Sequence, residues 1–210
     1  MKLLLTSFAC KTLDNVRPLL NGDPAGLRAA FIPTAADPYD DKDFVKVDRD
    51  KLVELGFAVT DIDIKDKTEI ELAKLLASYD LVLVAGGNTY YLLYHAQKSG
   101  FMNVIKKRLE DGMVYVGSSA GSILACLTID TARRFDSPSI VPELADYTGM
   151  DLVDFLIIPH FDAPRYQERL RQTIEEWSGK HHHLYPLTDS QAIMVDGDTI
   201  TFVDVSMGNA

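Results

Sequence analysis

Five short apolar runs, at positions 2–8, 28–33, 58–62, 81–85 and 114–117, each lead into a segment whose apolar residues recur with helical spacing. A run such as Leu81-Val82-Leu83-Val84-Ala85 has no polar face. A strand that is apolar on both sides has to be covered on both sides, and strands joined through helices run parallel. The spacing predicts helices over 12–20, 43–55, 69–78, 90–99 and 102–111, then a buried strand over 155–158 and a helix over 165–177. Three more short strands are expected at 183–186, 191–195 and 199–205, the last two joined by a tight turn at Asp196-Gly197-Asp198. The expectation is one domain over 1–210: a doubly wound, mostly parallel α/β sheet with helices on both faces and a small C-terminal antiparallel β extension.

Charge and cysteine usage narrow the range of partners. The formal net charge of -10 repels nucleic acid and anionic membrane, and no basic stripe interrupts it. No apolar stretch approaches the ~20 residues that span a bilayer, and the opening Leu3-Leu4-Leu5 run, soon broken by Lys11 and Asp14, is too short for a secretory leader. Cys10 and Cys126 lie far apart in apolar settings, which gives neither a disulfide framework nor metal-ligand spacing. A reducing, cytoplasmic location is expected. An apolar sheet edge would admit a homodimer, although no motif selects one.

In open parallel sheets, sites gather outside the carboxyl ends of the strands, and three of those ends are unusual. Gly117-Ser118-Ser119-Ala120-Gly121 fits the nucleophile elbow Gly-x-Ser-x-Gly, a sharp strand-to-helix turn that leaves room only for small neighbours. The same pentapeptide suits a plain helix cap, with Ser118 or Ser119 as the capping residue. Gly86-Gly87-Asn88-Thr89 follows another apolar strand and can offer a backbone amide to an oxyanion, or simply turn the chain; without Gly-Lys-Ser/Thr it is no Walker loop. Pro159-His160-Phe161 closes the third, with His160 where a general base would project. Other histidines are weaker candidates. His95 sits within a helix, where packing explains it. His181-His182-His183 cannot converge on one ion, because adjacent side chains diverge, and it reads as the solvated start of a strand.

Ser119-Ala120-Gly121, Gly86-Gly87-Asn88-Thr89 and Pro159-His160-Phe161 together resemble the aspartyl dipeptidase (peptidase E) family of serine peptidases, in order and at similar separations along essentially the whole chain. The resemblance implies a flavodoxin-like, class I glutamine amidotransferase-like fold, with Ser119 as nucleophile and His160 as general base. It also implies an oxyanion hole at the amides of Gly87 and Ala120, and Asn88 on the substrate side. Two acids compete to orient His160. Asp136 matches through Phe135-Asp136-Ser137-Pro138, and Asp189 matches a late Leu-Pro-Glu segment as Leu187-Thr188-Asp189, with Asp in place of Glu. The reading favours Asp189, leaving Asp136 near the substrate pocket. In the family a basic residue beyond Pro-His-Phe is thought to meet an aspartyl carboxylate; here Arg165 falls near that position, with Arg169 and Arg171 beyond it. The implied substrate is a short peptide, with a relaxed preference for N-terminal Asp, and no metal or organic cofactor is required. Three rivals remain at this point: an α/β-hydrolase-type esterase, a cyanophycinase-like peptidase and a non-catalytic binding protein on the same fold.

Overall fold

The computed structural model describes residues 1–180 and 182–206, so the first histidine of the 181–183 run lies outside the described residues. Its strands are β1 (Lys2–Thr6), β2 (Arg28–Ile32), β3 (Ala58–Asp61), β4 (Leu81–Val84), β5 (Val114–Ser118), β6 (Phe155–Ile158), β7 (His183–Pro186), β8 (Gln191–Asp196) and β9 (Thr199–Asp204). The α-helices are α1 (Ala9–Thr12), α2 (Asp43–Glu54), α3 (Glu69–Leu76), α4 (Thr89–Ser99), α5 (Phe101–Glu110), α6 (Ala120–Ala125) and α7 (Gln167–Trp177). The main sheet has the order β3-β2-β4-β5-β1-β8-β9. Its first five members pair in parallel, and β8 and β9 add an antiparallel edge.

Side chains alternate between two cores across this sheet, as a period of two requires. Leu3, Leu5, Ile32, Val82, Val84 and Tyr115 face α3 to α6 on one side. Leu4, Phe31, Leu81, Leu83, Val114 and Val116 face α1, α2 and the turn after α1 on the other. This double burial is why β1, β2, β4 and β5 read as apolar runs, whereas β3, at the sheet edge, is mostly exposed. No helix among the described residues is long and apolar enough to cross a membrane.

The fold departs from the sequence-based expectation in two places. The segment 12–20 is not one α-helix: α1 passes at Thr12 into a 3-10 stretch, Leu13–Leu19, that contains Pro18. Proline lacks the amide that an α ladder needs and clashes with the preceding turn. The strand at 183–186 does not join the antiparallel extension either. It pairs in parallel with β6 as a separate two-stranded sheet. The edge of β1 is already taken by β8, so β6 finds its hydrogen bonds in β7 instead.

One buried charge ties α2 to the start of α1. Asp48, 1% exposed, accepts a hydrogen bond from the Cys10 amide at 2.7 Å. Burial pushes its pKa from 3.8 up to about 6, against the opposing pull of the Ser118 hydroxyl and the Cys10 amide. A raised carboxylate stabilises the fold below its unfolded value and loses that contribution as pH rises through the folded one. Asp48→Asn keeps the acceptor without the charge. We expect its stability relative to the parent to rise between pH 4 and pH 7, by up to about 3 kcal/mol, two pKa units' worth. Urea unfolding of both proteins across that range checks this, and a flat difference would rule it out.

Candidate active site

The carboxyl ends of β1, β4, β5 and β6, with the loop after β7, open into one cavity of ≈ 290 Å³. Ser119 stands at the end of β5 with φ 48° and ψ -106°, a sparsely populated conformation for a residue with a side chain. Three backbone bonds hold it there: its amide donates to the Thr6 carbonyl at 3.0 Å, and its own carbonyl accepts from Ser122 at 2.9 Å and Ile123 at 3.0 Å. Gly121 lets α6 sit against the sheet, since a Cβ there would overlap the Val84 carbonyl. Although Ser119 occupies the cap position of α6, its side chain makes no capping bond. The Oγ faces His160 Nε2 at 3.0 Å instead.

His160 leaves β6 with φ 61°. Its Nδ1 lies 2.7 Å from Asp189 Oδ1. With the carboxylate accepting from Nδ1–H, Nε2 is left free to accept the Ser119 hydroxyl proton. Burial alone would raise the Asp189 carboxyl, but the hydrogen bond and charge of His160, with the Ser7 hydroxyl, hold it below the ordinary 3.8. The Asp189 amide in turn donates to Asp162 Oδ1 at 3.0 Å.

Asp136 has a different setting. Its Oδ2 accepts from the Thr89 amide at 2.8 Å and the Thr89 hydroxyl at 2.6 Å, at the first turn of α4. Burial raises its pKa, opposed by those two bonds and by His160. It lines the cavity without touching Nδ1. Asn88 is 5% exposed and caps α4, its side-chain oxygen accepting from the Tyr91 amide at 2.9 Å. Gly87 adopts φ 140° with its Cα pressed so close to Ala35 that a Cβ would enter the Ala35 carbonyl. Among the described residues its amide meets no hydrogen-bond acceptor. Ala120 is the first residue of α6, where an amide has no intrahelical partner.

Of the three arginines, only Arg165 lines the cavity. Arg171 is engaged by Glu168 and Glu175 on the exposed side of α7, and Arg169 is exposed on the same helix. His95 packs between Tyr91 and Tyr94, with ring centroids 4.5 Å and 5.0 Å away. Both cysteines are free. Burial pushes Cys10 to about 11 and Cys126 to about 12, so neither carries a thiolate at neutral pH.

One residue of this network carries no motif. Ser7, fully buried at the end of β1, donates to Asp189 Oδ1 at 2.9 Å and accepts from the His160 amide at 2.8 Å. The sequence-based strand runs over 2–8 and places Ser7 inside it, so the strand-end rule passes over this residue. Ser7→Ala leaves that amide without a partner, a defect that costs about 1–3 kcal/mol. Equilibrium unfolding in urea should show a loss of that size; a change under about 0.5 kcal/mol, ordinary for an unconstrained surface site, would mean that neither bond matters.

The chain has known relatives. The model of peptidase family S51 matches residues 3–203. An uncharacterized peptidase of Pasteurella multocida is 31% identical over 169 residues, covering 80% of this chain and 81% of its own. Peptidase E of Salmonella typhi is 34% identical over 158 residues, 71% of this chain and 62% of its own. Among solved structures, a putative peptidase E protein from Listeria monocytogenes EGD-e superposes with a TM-score of 0.89 at 26% identity over 98% of each chain. A peptidase from an acI-B1 Actinobacterium, 15% identical with a TM-score of 0.70 over 97% of this chain and 87% of its own, shares the fold. The chain therefore belongs to peptidase family S51, the peptidase E family of serine peptidases.

Proposed function

We propose that this peptidase hydrolyses short peptides through a covalent intermediate on Ser119. The supporting observation is the relay from Ser119 Oγ to His160 Nε2 at 3.0 Å and from Nδ1 to Asp189 at 2.7 Å. A serine hydroxyl is a weak nucleophile at neutral pH, so a base has to remove its proton during attack. His160 takes that proton as Oγ bonds to the scissile carbonyl carbon. As the C–N bond breaks, His160 returns the proton to the departing amine. A water then repeats the sequence on the acyl group, releasing the acid and restoring the serine. Asp189 fixes the imidazole tautomer and stabilises the imidazolium without becoming protonated.

The amides of Gly87 and Ala120 form the oxyanion hole in this reading, each contributing roughly 3–4 kcal/mol to the transition state. The cavity's ≈ 290 Å³ lies at the low end of small-molecule sites, which favours short peptides over folded chains. Asp136, a carboxylate within that cavity, supplies the counter-charge for a free N-terminus.

A fluorophosphonate probe tests the chemistry. It should label the protein once, and Ser119→Ala should abolish both labelling and turnover while leaving the fold intact. Undiminished turnover in that variant would end the assignment. The orienting acid is tested by pairing Asp189→Asn with Asp136→Asn. The first should lower kcat by roughly 10³–10⁴, because an amide stabilises the wrong imidazole tautomer; the second should act mainly on KM. The reverse ranking in two folded variants would give the role to Asp136.

A further inference from the structure

Arg165 is the cavity-lining arginine, and no acidic side chain among the described residues pairs with it. Its guanidinium lies over the Tyr166 ring, 4.6 Å from the centroid. Tyr166 has two other neighbours. Phe135 meets it edge to face at 5.5 Å, and the His160 ring lies 6.1 Å away. Stacking on an aromatic face holds a guanidinium in place while its N–H fork stays free to bind.

The neighbouring imidazole says which part of a substrate reaches this arginine. In acyl transfer, the ring that took the serine proton delivers it to the departing amine. The residue beyond the scissile bond therefore lies on the imidazole side, where Tyr166 carries Arg165. Asp136 also lines the cavity, held by Thr89 at the first turn of α4 beside the Gly87 turn. The cavity thus carries both an anion and a cation.

We infer that Arg165 binds the C-terminal carboxylate of a dipeptide substrate, rather than an acidic side chain on the first residue. This rests on the proposed orientation of the substrate at Ser119 and His160. A dipeptide's leaving residue ends in a carboxylate one residue beyond the broken bond. A longer peptide carries an uncharged amide there, and its own carboxylate falls beyond the rim. The arginine then acts as a ruler for length. A bidentate guanidinium–carboxylate contact gives the required match of shape and charge.

Binding to the inert Ser119→Ala protein separates this inference from the catalytic one. Calorimetric titration with Ala-Leu and with its C-terminal amide should show the amide binding about tenfold more weakly, as expected for one charge-assisted contact at a partly exposed site. In Ser119→Ala/Arg165→Ala the two ligands should bind alike, both at the weaker level. An amide penalty that survives loss of the arginine would overturn the inference. So would a penalty that appears only when Asp replaces Ala as the first residue, which would make Arg165 a reader of the side chain. In the active protein, Arg165→Ala should raise KM for Ala-Leu about tenfold at unchanged kcat, with no effect on Ala-Leu-Ala. If Ser119 is not the nucleophile, the variant hydrolyses Ala-Leu during the titration and free alanine appears in the calorimeter cell, which distinguishes failure of the catalytic reading from failure of the Arg165 contact.

Discussion

Helix α6 meets the end of the sheet through bare backbone, and the active site depends on that contact. With Gly121 pressed against the Val84 carbonyl, the turn before it has no slack, and Ser119 is forced to φ 48°. Such a conformation costs about 1–3 kcal/mol and persists only where its surroundings over-determine it. Here the surroundings are the Thr6 carbonyl and the first-turn amides of α6. The same closeness leaves the Ser119 Oγ standing free at the head of the helix, toward the imidazole, instead of folding back as a cap.

Three carboxylates surround this imidazole, and the protein gives each a different setting. Asp189 receives the imidazole and a hydroxyl and is held low. Asp136 receives an amide and a hydroxyl from Thr89 but is raised by burial. Asp48, deeper still, is raised to about 6. Environments that push like groups apart in acidity assign them different tasks. Only the carboxylate held low touches Nδ1.

Much of this is legible in the sequence, because the underlying rules are local. Two-sided burial makes parallel strands read as unbroken apolar runs, and a glycine pattern after such a run marks a turn into a helix. Ser119 emerges from a strand end of that kind, and His160 from the end of a buried apolar strand closed by Pro159. Asp189 does not: its link to His160 spans 29 residues, and only the family resemblance singles it out. Ser7 escapes because its two bonds cross 153 and 182 residues and no pattern within β1 signals them. The pairing of β6 with β7 depends on which sheet edge is already taken, a global property. Two further features do carry a local signal. Asn88 precedes an apolar helix as a capping residue does, and Arg171 stands at helical spacing from Glu168 and Glu175.

The proposed relay joins two separately hydrogen-bonded sheets. Ser119 rides on the seven-stranded sheet, whereas His160 follows β6 and Asp189 follows β7, in the two-stranded one. Ser7, directly after β1, hydrogen-bonds to both His160 and Asp189 across the junction. The two ladders are separate, but the interior beneath them is not: β6 is buried throughout and packs into the same apolar cluster as β1, β4 and β5. Sliding one ladder past the other would disturb that shared interior, so the spacing between Ser119 and His160 is as stiff as the packing under it.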